Sequence, residues 1–168
     1  AVLLNGSRAN PNIAPDAFQD FDVVFIVTVL EGFVADPHWV DIFGERVMMQ
    51  LPDTMKYVGV EADYTPVSFG YLMQFKDGHR IDLTLFPLDK VATDFNVDSL
   101  TIVWLDKDGM FKDVPVSSDK DYHIRRPDQQ EFSETCNEFW WVIMNVSKGL
   151  RRHQLTYAKE MLEKYTRP

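Results

Sequence analysis

One stretch limits what this chain can fold into more than any other. From Asn5 to Val27 it reads NGSRANPNIAPDAFQDFDVVFIV: the apolar run Ala1–Leu4 closes on Gly6-Ser7, and after a spacer over residues 8–19 comes Asp20-Phe21-Asp22, running into Val23–Val27. Side chains alternate between the faces of a strand, so Asp20 and Asp22 share one face while Phe21 and Val23 point into a core. Two carboxylates a few ångströms apart repel each other unless a cation sits between them. Mg²⁺ suits that place, because it takes oxygen ligands and is held by one or two carboxylates plus substrate phosphates. Gly6 permits a tight turn and close backbone approach, and the N–H groups of such a turn can cradle an anion. A phosphate cradle beside a metal pair describes a nucleoside triphosphate site. The plainer alternative is a surface turn followed by a strand bearing two solvated acids.

The rest of the composition narrows the partners. A chain of 168 residues with 45% hydrophobic and 26% charged residues can build a globular core. No apolar run is long enough to span a bilayer, and no signal-peptide pattern opens the chain, so no membrane partner is expected. The net charge of −9 argues against a nucleic-acid polymer, which wants a basic footprint, and favours cationic small molecules drawn to a negative cleft. The single cysteine, Cys136, excludes an internal disulfide and suits a reducing cytoplasm. The four histidines, His38, His79, His123 and His153, share no metal-ligand spacing.

Further along, Asp36-Pro37 reads as the N-cap and first residue of a short helix that carries Trp39, Ile42 and Phe43 inward and ends near Gly44. Residues 46–51 read as a strand closed by Pro52, and residues 53–68 as helix or loop. Residues 71–75 and 80–86 form an expected β-hairpin around Asp77-Gly78. On its second strand Ile81, Leu83 and Leu85 face one way, and Arg80, Asp82 and Thr84 the other. A two-residue turn would set Met73 opposite Asp82, leaving that acid without a cross-strand cation. An acid in mid-strand marks a functional position or a solvated outer face. Residues 101–105 read as another strand, with Asp108-Gly109 as the turn of a second hairpin. From Asp128 the apolar residues recur at helical spacing: Phe132, Cys136, Phe139, Trp140, Ile143, Met144 and Val146, then Leu150, Leu155, Ala158 and Leu162. Two helices broken near residues 149–153 are expected.

The pattern of Gly-Ser followed by Asp-x-Asp resembles the signature of polymerase β-like nucleotidyltransferases. The segments NGSRANPN, FQDFD, FGERVMMQLPD, RIDLTLFPL, LDKDG and CNEFWWV, in this order, resemble the aminoglycoside 6-adenylyltransferase family from Leu4 to about Arg167. The resemblance implies an α+β fold: a polymerase β-like mixed sheet with flanking helices over residues 1–126, then the beginning of a helical acceptor-binding domain over residues 127–168. It implies ATP as donor, Mg²⁺ as cofactor, and AMP transfer to a hydroxyl of a cationic aminoglycoside such as streptomycin. Members of the family carry a helix before the first strand and a longer C-terminal helical region, so the sequence is expected to be a fragment whose acceptor site is incomplete.

On that resemblance Asp20 and Asp22 would hold Mg²⁺ against the triphosphate, and Gly6, Ser7 and Arg8 would grip its phosphates. Asp82 would be the third carboxylate, either a metal ligand or the base that takes the acceptor's proton. Glu138, with Trp140 or Trp141, is the candidate contact for the acceptor's cationic groups, set against ordinary core packing of a Phe-Trp-Trp run. Rival functions are nucleotidyl transfer to a lincosamide or to a protein, and a nucleotide-binding module without catalysis.

Overall fold

A computed structural model describes residues 1–55 and 67–166. Most of the stretch 53–68, expected as helix or loop, lies outside the described residues, as does Arg167. The chain divides into two compact units, Ala1–His123 and Ile124–Pro168. Among the described residues no helix is long and apolar enough to cross a membrane.

Among the described residues the first unit is built on six strands: β1 (Val2–Asn5), β2 (Phe21–Val27), β3 (Arg46–Gln50), β4 (Phe69–Phe75), β5 (Arg80–Pro87) and β6 (Thr101–Leu105). They lie in the order β3-β4-β5-β2-β1-β6. The central pair β2/β5 is parallel and every other pairing is antiparallel, so the sheet is mixed as expected. Alternation decides which face each residue serves. Val23, Leu83, Leu85, Phe69, Tyr71, Met73 and Phe75 form the larger core on one face with Val40. Over that face lie the short helix α1 (Glu31–Ala35) and a 3₁₀ turn over Pro37–Phe43. Tyr71 is fully buried, and its hydroxyl donates to Phe33 O at 2.8 Å while accepting from Trp39 Nε1 at 3.2 Å. The opposite face holds a smaller core of Leu3, Val24, Ile26, Phe86 and Phe111, backed by Phe95 beyond the single-turn helix α2 (Val91–Asp94). Asp22 and Asp82 belong to this second face, at the starting ends of β2 and β5, ahead of the apolar residues.

Several local expectations change. Asp36 does cap the next turn, accepting from His38 N at 2.9 Å, but the turn is 3₁₀ and buries Val40 while Ile42 stays exposed. The β4–β5 loop has three residues, not two. Phe75 N donates to His79 O at 2.9 Å, and Gly78 takes a left-handed φ of 93°. The register therefore sets Leu72, not Met73, opposite Asp82. The second hairpin does not form among the described residues. β6 pairs only with β1, and the Asp108-Gly109 turn is pinned instead by Asp106, whose carboxylate accepts from Met110 N at 3.1 Å and Phe111 N at 2.8 Å.

The second unit holds α3 (Gln129–Arg151) and α4 (Leu155–Glu160), the latter running into a π-helical turn over Met161–Thr166. Asp128 and Glu131 close a capping box at the start of α3. The break falls where expected, at His153 with φ 57°. The packed seam is not the Phe132–Met144 stripe, however. Val142, Gly149 and Ala158 are buried, while Phe132, Trp140 and Met144 are exposed. Gly149 is needed there because a Cβ on it would press to 2.9 Å from Ala158 Cβ.

Candidate active site

Residues from β1, β2 and β5 meet at one end of the second sheet face. Asn5 pairs with Asp22 across the antiparallel β1/β2 ladder, and Asp22 pairs with Asp82 across the parallel β2/β5 ladder. A parallel pair in register sets same-facing side chains side by side, so the carboxylates of Asp22 and Asp82 are neighbours by construction. The chain leaves β1 through a 3₁₀ turn over Gly6–Ala9, where Gly6 has φ 71°. A Cβ on Gly6 would collide with Asp22 Oδ2, so glycine is required both by backbone conformation and by the close approach of the acid.

The electrostatics are those of crowded acids. Burial pushes the Asp22 carboxyl above its ordinary value, and the charges of Asp82 and Asp20 push it further, opposed in part by Arg80. Across the hairpin Asp82 faces Leu72, so no cross-strand cation reaches it. The structure supplies one from the same strand and the same face, two residues back. Arg80 forks onto Asp82 through Nε–Oδ1 at 2.8 Å and Nη2–Oδ2 at 2.7 Å, and its Nε lies 3.4 Å from Asp20 Oδ2. The hydrogen bonding to Asp82, above all, holds the Arg80 guanidinium further up from its usual value. The alternation that placed Arg80 and Asp82 on one face was the signal that could have found it.

Arg8 is placed differently from its expected neighbours in the cradle. Its Nε donates to Gln19 O and Asp20 O at 3.2 and 3.1 Å, its Nη2 donates to Gln19 O at 2.8 Å, and the guanidinium lies 3.7 Å over the Phe21 ring. Among the described residues its Nη1 and the Ser7 hydroxyl make no hydrogen bond. The turn is braced from behind. Ser117 Oγ donates to Ala9 O at 2.6 Å, Asn12 Nδ2 donates to Asp119 Oδ1 at 2.9 Å, and buried Thr101 donates to Asn5 Oδ1 at 2.9 Å. None of these braces was legible in the sequence, since they join residues about a hundred positions apart.

Three carboxylates are the donor type a hard divalent cation takes, and the crowding at Asp22 is what such an ion would relieve. Among the described residues no three acids, histidines or cysteines already stand as a ligand set, and Arg80 joins Asp82 and Asp20. Glu138, Trp140 and Trp141 stand on α3 in the second unit, all three exposed, so the two tryptophans are not core residues.

The sequence model of the family described as streptomycin adenylyltransferase matches residues 1–168. An aminoglycoside 6-adenylyltransferase of Campylobacter jejuni is 45% identical over 158 residues, covering 94% of this chain and 53% of that protein. The proteins of that name from Bacillus subtilis and Staphylococcus aureus are 42% and 36% identical over 168 residues, covering 99% of this chain and 58% of each of theirs. The chain thus spans about half the length of the curated relatives it matches. A crystal structure of an aminoglycoside 6-adenyltransferase from Bacillus subtilis, 36% identical, aligns over 90% of this chain and 54% of its own with a TM-score of 0.45.

Proposed function

The chain belongs to the streptomycin adenylyltransferase family, and from that premise we propose that it carries the nucleotide site of an enzyme that moves AMP from ATP to a hydroxyl of an aminoglycoside such as streptomycin, inactivating the antibiotic in the cytoplasm. The observation that carries this reading is the in-register Asp22/Asp82 pair, with Asp22 packed against Gly6. On this reading residues 1–126 act as the nucleotidyltransferase domain and residues 127–168 as the beginning of the helical acceptor-binding domain.

Asp20 and Asp22, and Asp82 where it is a ligand rather than the base, would hold Mg²⁺, whose charge would offset the triphosphate and the leaving pyrophosphate. The Gly6-Ser7 backbone and the Ser7 hydroxyl grip the outer phosphates. Arg8 fixes the backbone of Asp20 through the carbonyls it binds, and offers its Nη1 edge to the same phosphates. The acceptor oxygen attacks the α-phosphorus, the bond to pyrophosphate breaks, and the hydroxyl proton leaves to a carboxylate, for which Asp82 stands nearest in role. Glu138 and the two exposed tryptophans give the acceptor's cationic groups a carboxylate and aromatic faces.

The deciding experiment supplies radiolabelled ATP to the protein with streptomycin, with lincomycin or with co-expressed proteins. Label in streptomycin is expected; label in lincomycin or in protein alone, or in none of them, overturns the acceptor or the activity. Asp82→Asn separates the roles of that acid. A base role predicts turnover lower by roughly 10² to 10⁴-fold with unchanged nucleotide affinity, whereas a metal-ligand role weakens nucleotide binding as well.

A further inference from the structure

We propose that Arg80 is the built-in counter-cation of the site: it takes, between Asp20 and Asp82, the place a divalent cation must occupy, and it yields that place to the metal as its guanidinium passes to the anionic triphosphate. The inference rests on the site being a metal-and-triphosphate centre, and it adds a residue and a coupling that this centre does not by itself require.

Geometry carries it. Both Asp82 oxygens accept from Arg80, at 2.8 and 2.7 Å, and Asp20 lies 3.4 Å from the same Nε. A metal drawn to these oxygens meets a positive charge already seated on them. Arg8, the other guanidinium nearby, is bound to backbone carbonyls and, among the described residues, pairs with none of the acids. Arg80 is also only partly enclosed. Its side chain is 44% exposed, and it borders a groove of about 470 Å³ lined by Met48, Gln50, Leu72 and Gln74. That groove gives the released side chain room and presents no carboxylate to recapture it. A guanidinium fork recognises phosphate as well as carboxylate, so a triphosphate entering beside Asp82 offers the replacement partner. Metal and nucleotide then assist one another, and by linkage each raises the other's affinity by the same factor.

Removing the guanidinium must therefore act with opposite signs on the two ligands. Mn²⁺, titrated into the full chain and followed by the paramagnetic resonance of the free ion, reads the first. Arg80→Gln should bind Mn²⁺ alone roughly tenfold more tightly than the unaltered protein, the size expected for losing one partly solvated charged pair. Metal-free affinity for a non-hydrolysable ATP analogue, read by calorimetry, should fall by a similar factor. Arg80→Lys keeps the charge but not the fork, and should fall between; it carries the test if circular dichroism shows that Arg80→Gln does not fold. A purely structural Arg80 would lower both affinities together. Mn²⁺ binding that is unchanged or weakened in a folded Arg80→Gln overturns the proposal. Absence of Mn²⁺ binding in both the unaltered protein and the variant overturns the metal site itself, and with it this inference.

Discussion

Two arginines flank the same acidic end of the sheet, and their surroundings differ in kind. Arg8 lies in the turn after β1, bound to the carbonyls of Gln19 and Asp20 and stacked on Phe21. Arg80 opens β5 and is bound to the carboxylates of Asp82 and Asp20. Main-chain carbonyls carry no net charge, make poor competitors for a metal, and are fixed by the fold, so a cation that satisfies them belongs to the scaffold. Carboxylates bind metals and protons as well as guanidinium, so a cation on them can be exchanged. The first region holds the loop that delivers Asp20; the second sets the charge that a ligand must displace.

Asp22 is where the two regions meet, against Gly6 on one side and Asp82 on the other, and losing it should have the largest effect. Asp22→Asn is expected to abolish AMP transfer while the fold survives, with stability unchanged or raised by on the order of 1 kcal/mol as like-charge crowding is relieved. Transfer assays with denaturant titration check both parts, and an active Asp22→Asn would remove the acid from the chemistry.

Substituting each arginine in turn separates them next. Arg8→Ala should cost roughly 2 kcal/mol, from charge-assisted hydrogen bonds and a cation–π contact. Arg80→Ala should cost less than about 1 kcal/mol, because its partners are partly solvated. Equal losses in urea unfolding would erase the contrast between scaffold and exchangeable cation.

Much of the frame was legible in the sequence: the faces of β2 and β5 follow from alternation, the Asp36 cap from Asp36-Pro37, and the break near His153 from the helical spacing of apolar residues. The two arginines were not, for opposite reasons. Arg80 shares a face with Asp82 in the sequence, but the partner of a strand residue is expected across the hairpin rather than along its own strand. The carbonyl contacts of Arg8 have no local signature, because nothing around it tells that the spacer folds its carbonyls back onto the guanidinium. The hairpin register slipped by one because Asp77-Gly78 fits a two-residue turn as well as a three-residue loop with Gly78 left-handed. The clash that fixes Gly6 involves Asp22, a residue placed by tertiary folding and invisible to any window around the turn.

Acidity sharpens the comparison further, through aspartates shifted in opposite directions. Asp22 is raised above 3.8 by burial and by its neighbours' charge, so the native state binds its proton more tightly than the unfolded chain does. Its contribution therefore favours folding at low pH and is lost as pH rises through the raised folded value. Asp106 is held below its ordinary value, chiefly by the Phe111 N–H, so its contribution is present above that value and is lost as pH falls through the depressed one. Urea midpoints measured from about pH 3 to 7 should fall less steeply with rising pH in Asp22→Asn than in the parent, and less steeply with falling pH in Asp106→Asn. Slopes equal to the parent's in both variants would mean that neither acid differs between folded and unfolded states.

The smallest expected effect lies behind the Arg8 region, at Ser117. Its hydroxyl donates to Ala9 O at 2.6 Å and lies 3.4 Å from Ser99 O, tying the back of the Gly6–Ala9 turn to a segment far along the chain. Ser117→Ala removes one neutral hydrogen bond at a half-buried position and should cost only about 0.5 kcal/mol. Its functional consequence separates a brace from a ligand. The hydroxyl contacts only backbone oxygen, so its loss should loosen the turn and weaken binding of the ATP analogue by a few-fold, roughly the equivalent of that same hydrogen bond, without touching Mn²⁺ binding in the absence of nucleotide. A change in Mn²⁺ affinity in Ser117→Ala would show that the turn and the acids cannot be perturbed separately, and the division between a fixed cation at Arg8 and an exchangeable one at Arg80 would fail with it.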